Sequence, residues 1–312
     1  MWRTSLAGKP LIVILGPTAV GKTTLAIDFA TQVGGEIVSA DSRQIYRYMD
    51  IGTAKPTSSE RRAVPHHLLD RVDPDDDVSL ADVQRWTYEA IDNIHQRGKL
   101  PLLVGGTGQY ISAVIDGWGI PQVPPNAKLR RELEAAAARE GADALHARLR
   151  TFDPAAADAI PYQNVRRVVR ALEVCIETGR PISELQRKTP PPFAVAVIGL
   201  TLGRDALYAR ADSRVDQMIA AGFVDEVRML LDRGYSRGLP SMSGIGYKEL
   251  AAHLLDSVPL DDSVAAVKHA THDFIRRQYT WFRKMGERVL WHNVEDVDTR
   301  DWVRLLDRLT SA

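Results

Sequence analysis

The chain is short of cysteine, of long apolar runs and of net charge, and each shortage removes a class of function. Cys175 is the single cysteine in 312 residues, which excludes an intramolecular disulfide framework and any zinc site built from several cysteines. No uncharged apolar stretch reaches the roughly 18 residues that a membrane-crossing helix needs. Met1 to Pro10 carries Arg3 and Lys9 and runs into a five-residue apolar segment, shorter than a signal-peptide core and with no small-residue cleavage site behind it. A cytoplasmic location is the expectation. Lys plus Arg and Asp plus Glu both number 40, so no global excess points to nucleic acid or membrane, and such binding must rest on local patches. Repeats and low-complexity tracts are missing as well. What remains, 45% hydrophobic and 26% charged, is the composition of a folded chain with room for a main core and one further module. Nothing in it demands more than a monomer.

Pro10-Leu11-Ile12-Val13-Ile14-Leu15 is a short, β-branched run bounded by Pro and Gly, the pattern of a buried strand. A Gly-rich turn follows, then a helix over Lys22 to Ala30 closed by Gly34-Gly35. Ile37-Val38 before Ser39-Ala40-Asp41, and Leu100 to Val104 before Gly105-Gly106-Thr107, again end an apolar strand in small or polar residues. Strands alternating with helices predict an α/β fold with a parallel sheet flanked by helices, its sites beyond the carboxyl ends of the strands. Between the proline clusters Pro121 to Pro125 and Pro190 to Pro192 the sequence turns strand-free and rich in Ala and Arg. An inserted all-helical module is expected there, over residues 119–192, with 1–118 and 193–312 forming the core. Its best helix carries Val165, Val168, Val169, Leu172, Cys175 and Ile176 on one stripe and Arg166, Arg170, Glu173 and Glu177 on the other side. Strands resume at Ala194 to Leu200 and Val289 to Trp291, and helices over Asp205 to Arg233 and Ser263 to Met285 complete the core.

Gly16-Pro17-Thr18-Ala19-Val20-Gly21-Lys22-Thr23 fits the phosphate-loop pattern, after a strand and opening a helix as that pattern requires. The glycines let backbone N–H groups close around phosphate oxygens, Lys22 supplies a point charge, and the Thr23 hydroxyl suits Mg²⁺. The expected architecture is therefore a phosphate-loop NTPase-like sheet, nucleotide-binding or ATP-binding in form. The loop identifies a diphosphate or triphosphate ligand without saying what happens to it.

Many phosphate-loop hydrolases end another strand in an Asp that helps to hold Mg²⁺. Here the Leu102-Leu103-Val104 strand ends instead in Gly105-Gly106-Thr107-Gly108, which could present the Thr107 hydroxyl to an anion or could simply cap the next helix. Asp41 follows the strand after the phosphate loop. A carboxylate there could organise Mg²⁺ or take a proton from a nucleophile, and an isolated Asp is also a common turn residue.

The chain resembles the tRNA dimethylallyltransferases, also called tRNA isopentenyltransferases. The likeness rests on Gly16 to Thr23, on Asp41-Ser42-Arg43-Gln44-Ile45-Tyr46 running into Met49-Asp50-Ile51-Gly52-Thr53-Ala54-Lys55-Pro56-Thr57, on Pro65-His66-His67-Leu68-Leu69-Asp70 and on Gly105-Gly106-Thr107-Gly108. It continues through Gln163-Asn164-Val165-Arg166-Arg167, Arg214-Val215-Asp216-Gln217-Met218, Gly246-Tyr247-Lys248-Glu249 and Arg277-Gln278-Tyr279-Thr280-Trp281-Phe282. The blocks cover nearly the whole chain in family order. Arg43 and Gln109 stand where more apolar residues are expected, which touches substrate-loop detail.

The resemblance implies transfer of the dimethylallyl group of dimethylallyl diphosphate to the exocyclic amino nitrogen of the adenosine 3′ of certain tRNA anticodons. It implies that Asp41 takes the amine proton, and that Gly16 to Thr23, Mg²⁺ at Thr23 and Arg214 cradle the leaving diphosphate, so that ATP is not hydrolysed. Thr107 completes that cradle or touches the nucleotide. The resemblance further implies that the target base is flipped into a channel lined by Asp41, Ser42, Arg43 and Gln44, and that Arg130, Gln163, Asn164, Val165, Arg166 and Arg167 contact the anticodon stem-loop. Two other readings stay open on residues alone: a small-molecule kinase with ATP in the loop, and a nucleotide-gated RNA-binding protein without chemistry.

Several features read more plainly. His66 and His67 on a strand point to opposite faces and so do not ligate one metal together, and His269 and His272 have no third ligand nearby. Phe274, Gln278, Trp281 and Met285 form a stripe expected to pack, on a helix made basic by Arg276, Arg277, Arg283 and Lys284, and Cys175 is expected in a core.

Overall fold

A computed structural model describes residues 9–304. The reading of the first residues, Arg3 included, thus falls mostly outside the described residues. The chain divides into two compact units, one running up to Val114 and resuming at Pro192, the other Ile115–Pro191.

The larger unit is built on a six-stranded sheet of β1 (Lys9–Leu15), β2 (Glu36–Ser39), β3 (His66–His67), β4 (Pro101–Gly105), β5 (Phe193–Thr201) and β6 (Val289–Asn293). Every pairing is parallel and the order is β3-β2-β4-β1-β5-β6. β1 lies in the middle, and Leu11 to Leu15 are fully buried because helices cover both faces of a parallel sheet, which is why this strand reads as an unbroken apolar run. Each such aliphatic side chain contributes about 2 kcal/mol of burial. On one side Ile12, Ile14 and Ile198 pack with Phe29 and Trp302. A separate cluster of Ile45, Met49, Phe223, Leu230, Met242 and Tyr247 lies under the chain that follows β2.

The helix after the phosphate loop runs Lys22–Val33 and ends where Gly34 turns left-handed. The helical stretch expected over Asp205 to Arg233 consists of two helices, Arg204–Ala220 and Phe223–Asp232, because Gly222 sits at φ 96° and redirects the chain. The long helix near the carboxyl end spans Leu260–Arg283, starting before Ser263. The helix Leu80–Gln96, opened by a reciprocal cap between Ser79 and Asp82, is an addition to the elements expected. No helix among the described residues is long and apolar enough to cross a membrane.

The smaller unit has its own core of Leu133, Leu145, Leu149, Val168, Leu172 and Cys175. Its start and its return meet side by side: Thr189 donates its N–H to Gly117 O at 2.7 Å and Gly119 donates to Arg187 O at 2.9 Å. The Val165–Thr178 helix departs from its expected polarity. Glu173, placed on the solvent side by spacing, has no exposed surface. Its carboxylate takes Arg130 through Nε and Nη2, both at 2.8 Å, Arg170 Nη1 at 2.5 Å and Asn126 N–H at 2.8 Å. Packing of a neighbouring helix, Ala127–Glu140, turns what spacing marks as a solvated face into an interior one.

Candidate active site

Pairing of Leu15 with Gly105 and of Ser39 with Val104 brings the carboxyl ends of β1, β4 and β2 to nearly one level. The three loops that leave them therefore meet. Thr107 donates its N–H to Ala40 O at 3.1 Å, and its hydroxyl oxygen accepts the Ser42 N–H at 3.1 Å. That leaves the hydroxyl proton for a partner of its own. Asp41 Oδ1 accepts Arg43 N–H at 2.8 Å and Gln44 N–H at 3.4 Å, a local turn that fixes the carboxylate. In the phosphate loop Lys22 Nζ donates to Pro17 O at 2.8 Å, and Ala19 takes a left-handed φ of 64°, a conformation that costs a residue with a side chain about 1 kcal/mol.

Two chambers open here. The first, about 110 Å³, is bounded by Thr18, Lys22 and Thr23 of the loop, by Ser39, Asp41 and Gln44, and by Arg214. The second, about 260 Å³, is walled by Val215, Phe223, Ile245, Tyr247, Val267 and Phe274, with Thr107 and Arg277 among its polar residues. Thr18, Asp41, Gly52, Thr53, Arg214 and Met218 border both. The polar chamber suits a compact anion and the larger one a flat or apolar group. Asp41 and Arg214 stand on the boundary between them.

Burial, with a smaller contribution from Arg214, lowers the pKa of Lys22 to about 8 against the upward pull of Asp41. Burial likewise lowers Arg214, against the pull of Asp41 and Glu60. Neither cation makes an ion pair with a described residue within 4 Å, so the positive charge here is offset only at longer range, by Asp41 for both cations and by Glu60 for Arg214. A dianionic group between Lys22 and Arg214 would be stabilised by two cations that have no ion-pair partner among the described residues. The Thr23 hydroxyl and the Asp41 carboxylate give hard oxygen donors of the kind that suits Mg²⁺, which takes most of its ligands from water and phosphate oxygens. Among the described residues no group of three or more His, Cys, Asp or Glu forms an all-protein metal cage.

Of the residues singled out in the sequence, Thr18, Lys22, Thr23, Asp41 and Arg214 converge on the first chamber, with Ala19, Ser42, Arg43 and Thr107 on the second. Two of the channel residues are also tied to protein. Arg43 donates to Pro240 O at 2.6 Å, Ser241 O at 3.2 Å and Ser243 Oγ at 3.2 Å. Gln44 accepts from Ser39 Oγ at 2.9 Å and donates to Thr53 O at 3.2 Å and Ala54 O at 3.3 Å. In the smaller unit Asn164 caps its helix by accepting the Arg167 N–H at 3.3 Å, Val165 is half-buried, and Gln163, Arg166 and Arg167 are exposed. Arg130 is held by Glu173.

Four residues that the sequence reading did not assign to the site help to build it. Gln278, expected only to pack, accepts the Thr18 N–H at 2.9 Å and donates to Gly106 O at 3.0 Å, and so joins the phosphate loop to the Thr107 turn. A polar residue in an apolar stripe was the available signal. Phe274, from the same stripe, and Arg277 line the second chamber. Glu226 holds the turn that contains Gly52. His66 and His67 do turn to different partners, Val64 O at 2.8 Å and Glu36 Oε2 at 2.7 Å, and His272 reaches Asp212 at 2.8 Å.

A family model described as IPP transferase matches residues 44–285. A tRNA dimethylallyltransferase of Roseiflexus sp. strain RS-1 is 57% identical over 276 residues, 88% of this chain and 90% of that protein. One of Thermomicrobium roseum is 50% identical over 286 residues, 92% and 87% of the two chains. The crystal structure of the full-length tRNA isopentenylpyrophosphate transferase of Bacillus halodurans is 41% identical with a TM-score of 0.72, covering 97% of each chain. A eukaryotic dimethylallyltransferase acting on tRNA is 28% identical with a TM-score of 0.79, covering 92% of this chain and 74% of that one.

Proposed function

The chain belongs to the IPP transferase family, and we propose that it works as a tRNA dimethylallyltransferase in which Asp41 and Arg214, on the boundary between the two chambers, act on opposite ends of one displacement. The donor is dimethylallyl diphosphate and the acceptor the exocyclic amino nitrogen of the adenosine 3′ of the anticodon. That nitrogen is a weak nucleophile, since its lone pair is delocalised into the ring. As it bonds to the allylic carbon, the carbon–oxygen bond breaks, diphosphate leaves with the electron pair, and Asp41 takes the amine proton. The phosphate loop, Lys22 and Arg214 stabilise the charge that grows on the diphosphate. Thr107 offers its hydroxyl proton to the reacting nucleotide or the leaving group.

Mg²⁺ at Thr23 neutralises diphosphate charge when bound. The protein's own groups bind and orient the rest: the larger chamber takes the flipped base against Phe274 and Tyr247, and Ser42, Arg43 and Gln44 shape its edge. Arg130 and the Gln163 to Arg167 segment contact the anticodon stem-loop, chiefly through the exposed Arg166 and Arg167. The reaction takes place in the cytoplasm.

The observation that carries this reading is the junction of a cationic chamber at a phosphate loop with a larger apolar one, with a fixed carboxylate where they meet. Incubation of the protein with Mg²⁺, unmodified tRNA and either dimethylallyl diphosphate or ATP tests it, with RNA mass as readout. A gain of one five-carbon unit from the diphosphate is expected. Phosphate transfer from ATP would select a kinase, and binding without any mass change a non-catalytic RNA-binding protein.

A further inference from the structure

Glu226 is a buried carboxylate with four donors and, among the described residues, no cation paired with it. Oε2 accepts the N–H groups of Asp50 at 2.8 Å and Ile51 at 2.7 Å, while Oε1 accepts the Gly52 N–H at 3.1 Å and the Tyr247 hydroxyl at 2.6 Å. Three successive backbone N–H groups converging on one anion form a nest, here filled by the protein's own side chain. The turn so held carries Gly52 and Thr53, both on the boundary of the two chambers. It is set tightly: a Cβ on Gly52 would come within 2.2 Å of the Phe223 ring and 2.7 Å of Tyr247. The turn also reaches Asp41. Thr53 O and Ala54 O take the Gln44 side chain, and Gln44 N–H donates to Asp41 Oδ1.

We propose that Glu226 and Tyr247 are positioning residues that fix the partition between the donor and acceptor chambers, and that this partition keeps water off the allylic carbon as the carbon–oxygen bond breaks. The proposal rests on dimethylallyl transfer as the reaction. If the partition loosens, water reaches the carbon in place of the adenine nitrogen. A carbon–oxygen bond to water then forms, diphosphate leaves with its electron pair, the water proton passes to solvent, and the product is a five-carbon alcohol. Phosphate-loop contacts are untouched, so diphosphate affinity stays the same while the fate of the five-carbon group changes.

Glu226→Gln replaces one acceptor oxygen by a donor and so breaks at least one of the four hydrogen bonds, that to the Gly52 N–H when the amide nitrogen faces the Tyr247 hydroxyl, with little change of shape. Tyr247→Phe removes one and keeps the ring in the wall. Both are assayed with unmodified tRNA and dimethylallyl diphosphate, following prenylated RNA by mass and free alcohol by gas chromatography, with inorganic diphosphate affinity measured by calorimetry. For Glu226→Gln a fall in kcat of about tenfold is expected, with a rise of at least about threefold in alcohol per prenylated RNA and diphosphate Kd within about twofold of the parent. Tyr247→Phe should shift the same ratio by a smaller amount, and it carries the test alone if Glu226→Gln does not fold. An unchanged alcohol ratio in folded variants, whatever happens to the active fraction, overturns the proposal and leaves a purely structural contact. Failure of the parent protein to prenylate tRNA would instead overturn the functional reading.

Discussion

Two clusters of arginine and carboxylate, one in each unit, are made of the same residue types and do opposite things. Around Glu173 the charges are closed on themselves: one fully buried carboxylate holds Arg130, Arg170 and a backbone N–H, and Arg170 also donates to Val123 O at 3.1 Å. Around Asp41 they are left open. Lys22 and Arg214 face a chamber without an ion-pair partner among the described residues, and burial lowers both, outweighing the upward pull of Asp41. A closed cluster spends its electrostatics on shape, whereas an open one keeps them for whatever enters. Burial and charge alone do not separate the two. The satisfied or unsatisfied state of each group does.

The sharpest way to break the comparison is to change one carboxylate in each cluster. Asp41→Asn keeps the size of the side chain and removes the proton acceptor, so transfer measured by RNA mass should fall at least about a hundredfold while tRNA and diphosphate still bind. Parental turnover would take Asp41 out of the mechanism. Glu173→Gln should do the reverse, lowering stability in urea by about 3 kcal/mol because two guanidinium groups lose their counter-charge, with kcat per folded molecule unchanged. This cluster also has a pH signature. Burial pushes the Glu173 carboxyl up, but Arg130 and Arg170 outweigh it and hold the carboxyl below its usual range. Its contribution is therefore present above the ordinary carboxylate pKa and lost as pH falls through the depressed one, so acid should unfold the parent more steeply than the Gln variant.

The open cluster has its own pH signature, smaller in size. With Lys22 lowered to about 8 in the free protein, an anion that favours the charged form makes the protein take up a proton on binding at and above that pH. Diphosphate affinity should thus weaken by about tenfold between pH 7 and 9, and the calorimetric enthalpy should vary with the buffer. Lys22→Ala should bind more weakly throughout and lose this step. The smallest effect is expected at the exposed arginines. Arg166→Ala with Arg167→Ala, leaving Arg170 on Glu173, should weaken anticodon stem-loop binding a few-fold and flatten its salt dependence by up to about one unit per lost phosphate contact, read by fluorescence anisotropy. An unchanged salt slope would make these arginines plain surface charge.

What the sequence made visible was what is local. The β1 run, the phosphate loop and Asp41 each lie within a few residues of the feature that explains them, and periodicity or a short motif is enough. Glu226 and Gln278 escaped because the backbone groups they hold are 174 to 176 and 172 to 260 residues away, a separation that no spacing rule covers. Glu173 was misplaced for a different reason. Helical periodicity assigns a charged position to solvent, and only the facing Arg130 reveals that the charge is neutralised inside. The break at Gly222 and the cap at Ser79 and Asp82 were both written in the chain as local signals.

The hydrogen-bonded neck at Gly117 with Thr189 and Gly119 with Arg187 has a consequence for how the chain is ordered in folding. The connection from β4 to β5 is long, and closing so long a loop costs conformational entropy that grows with the logarithm of its length. With start and return tied together at the base, the smaller unit closes that loop internally once its own core of Leu133, Leu149 and Leu172 has formed. From the sheet's side the excursion then behaves as a short connection, so β5 can find its place beside β1 without a search set by the length of the module. Modules of quite different size could hang on the same neck at little cost to the sheet.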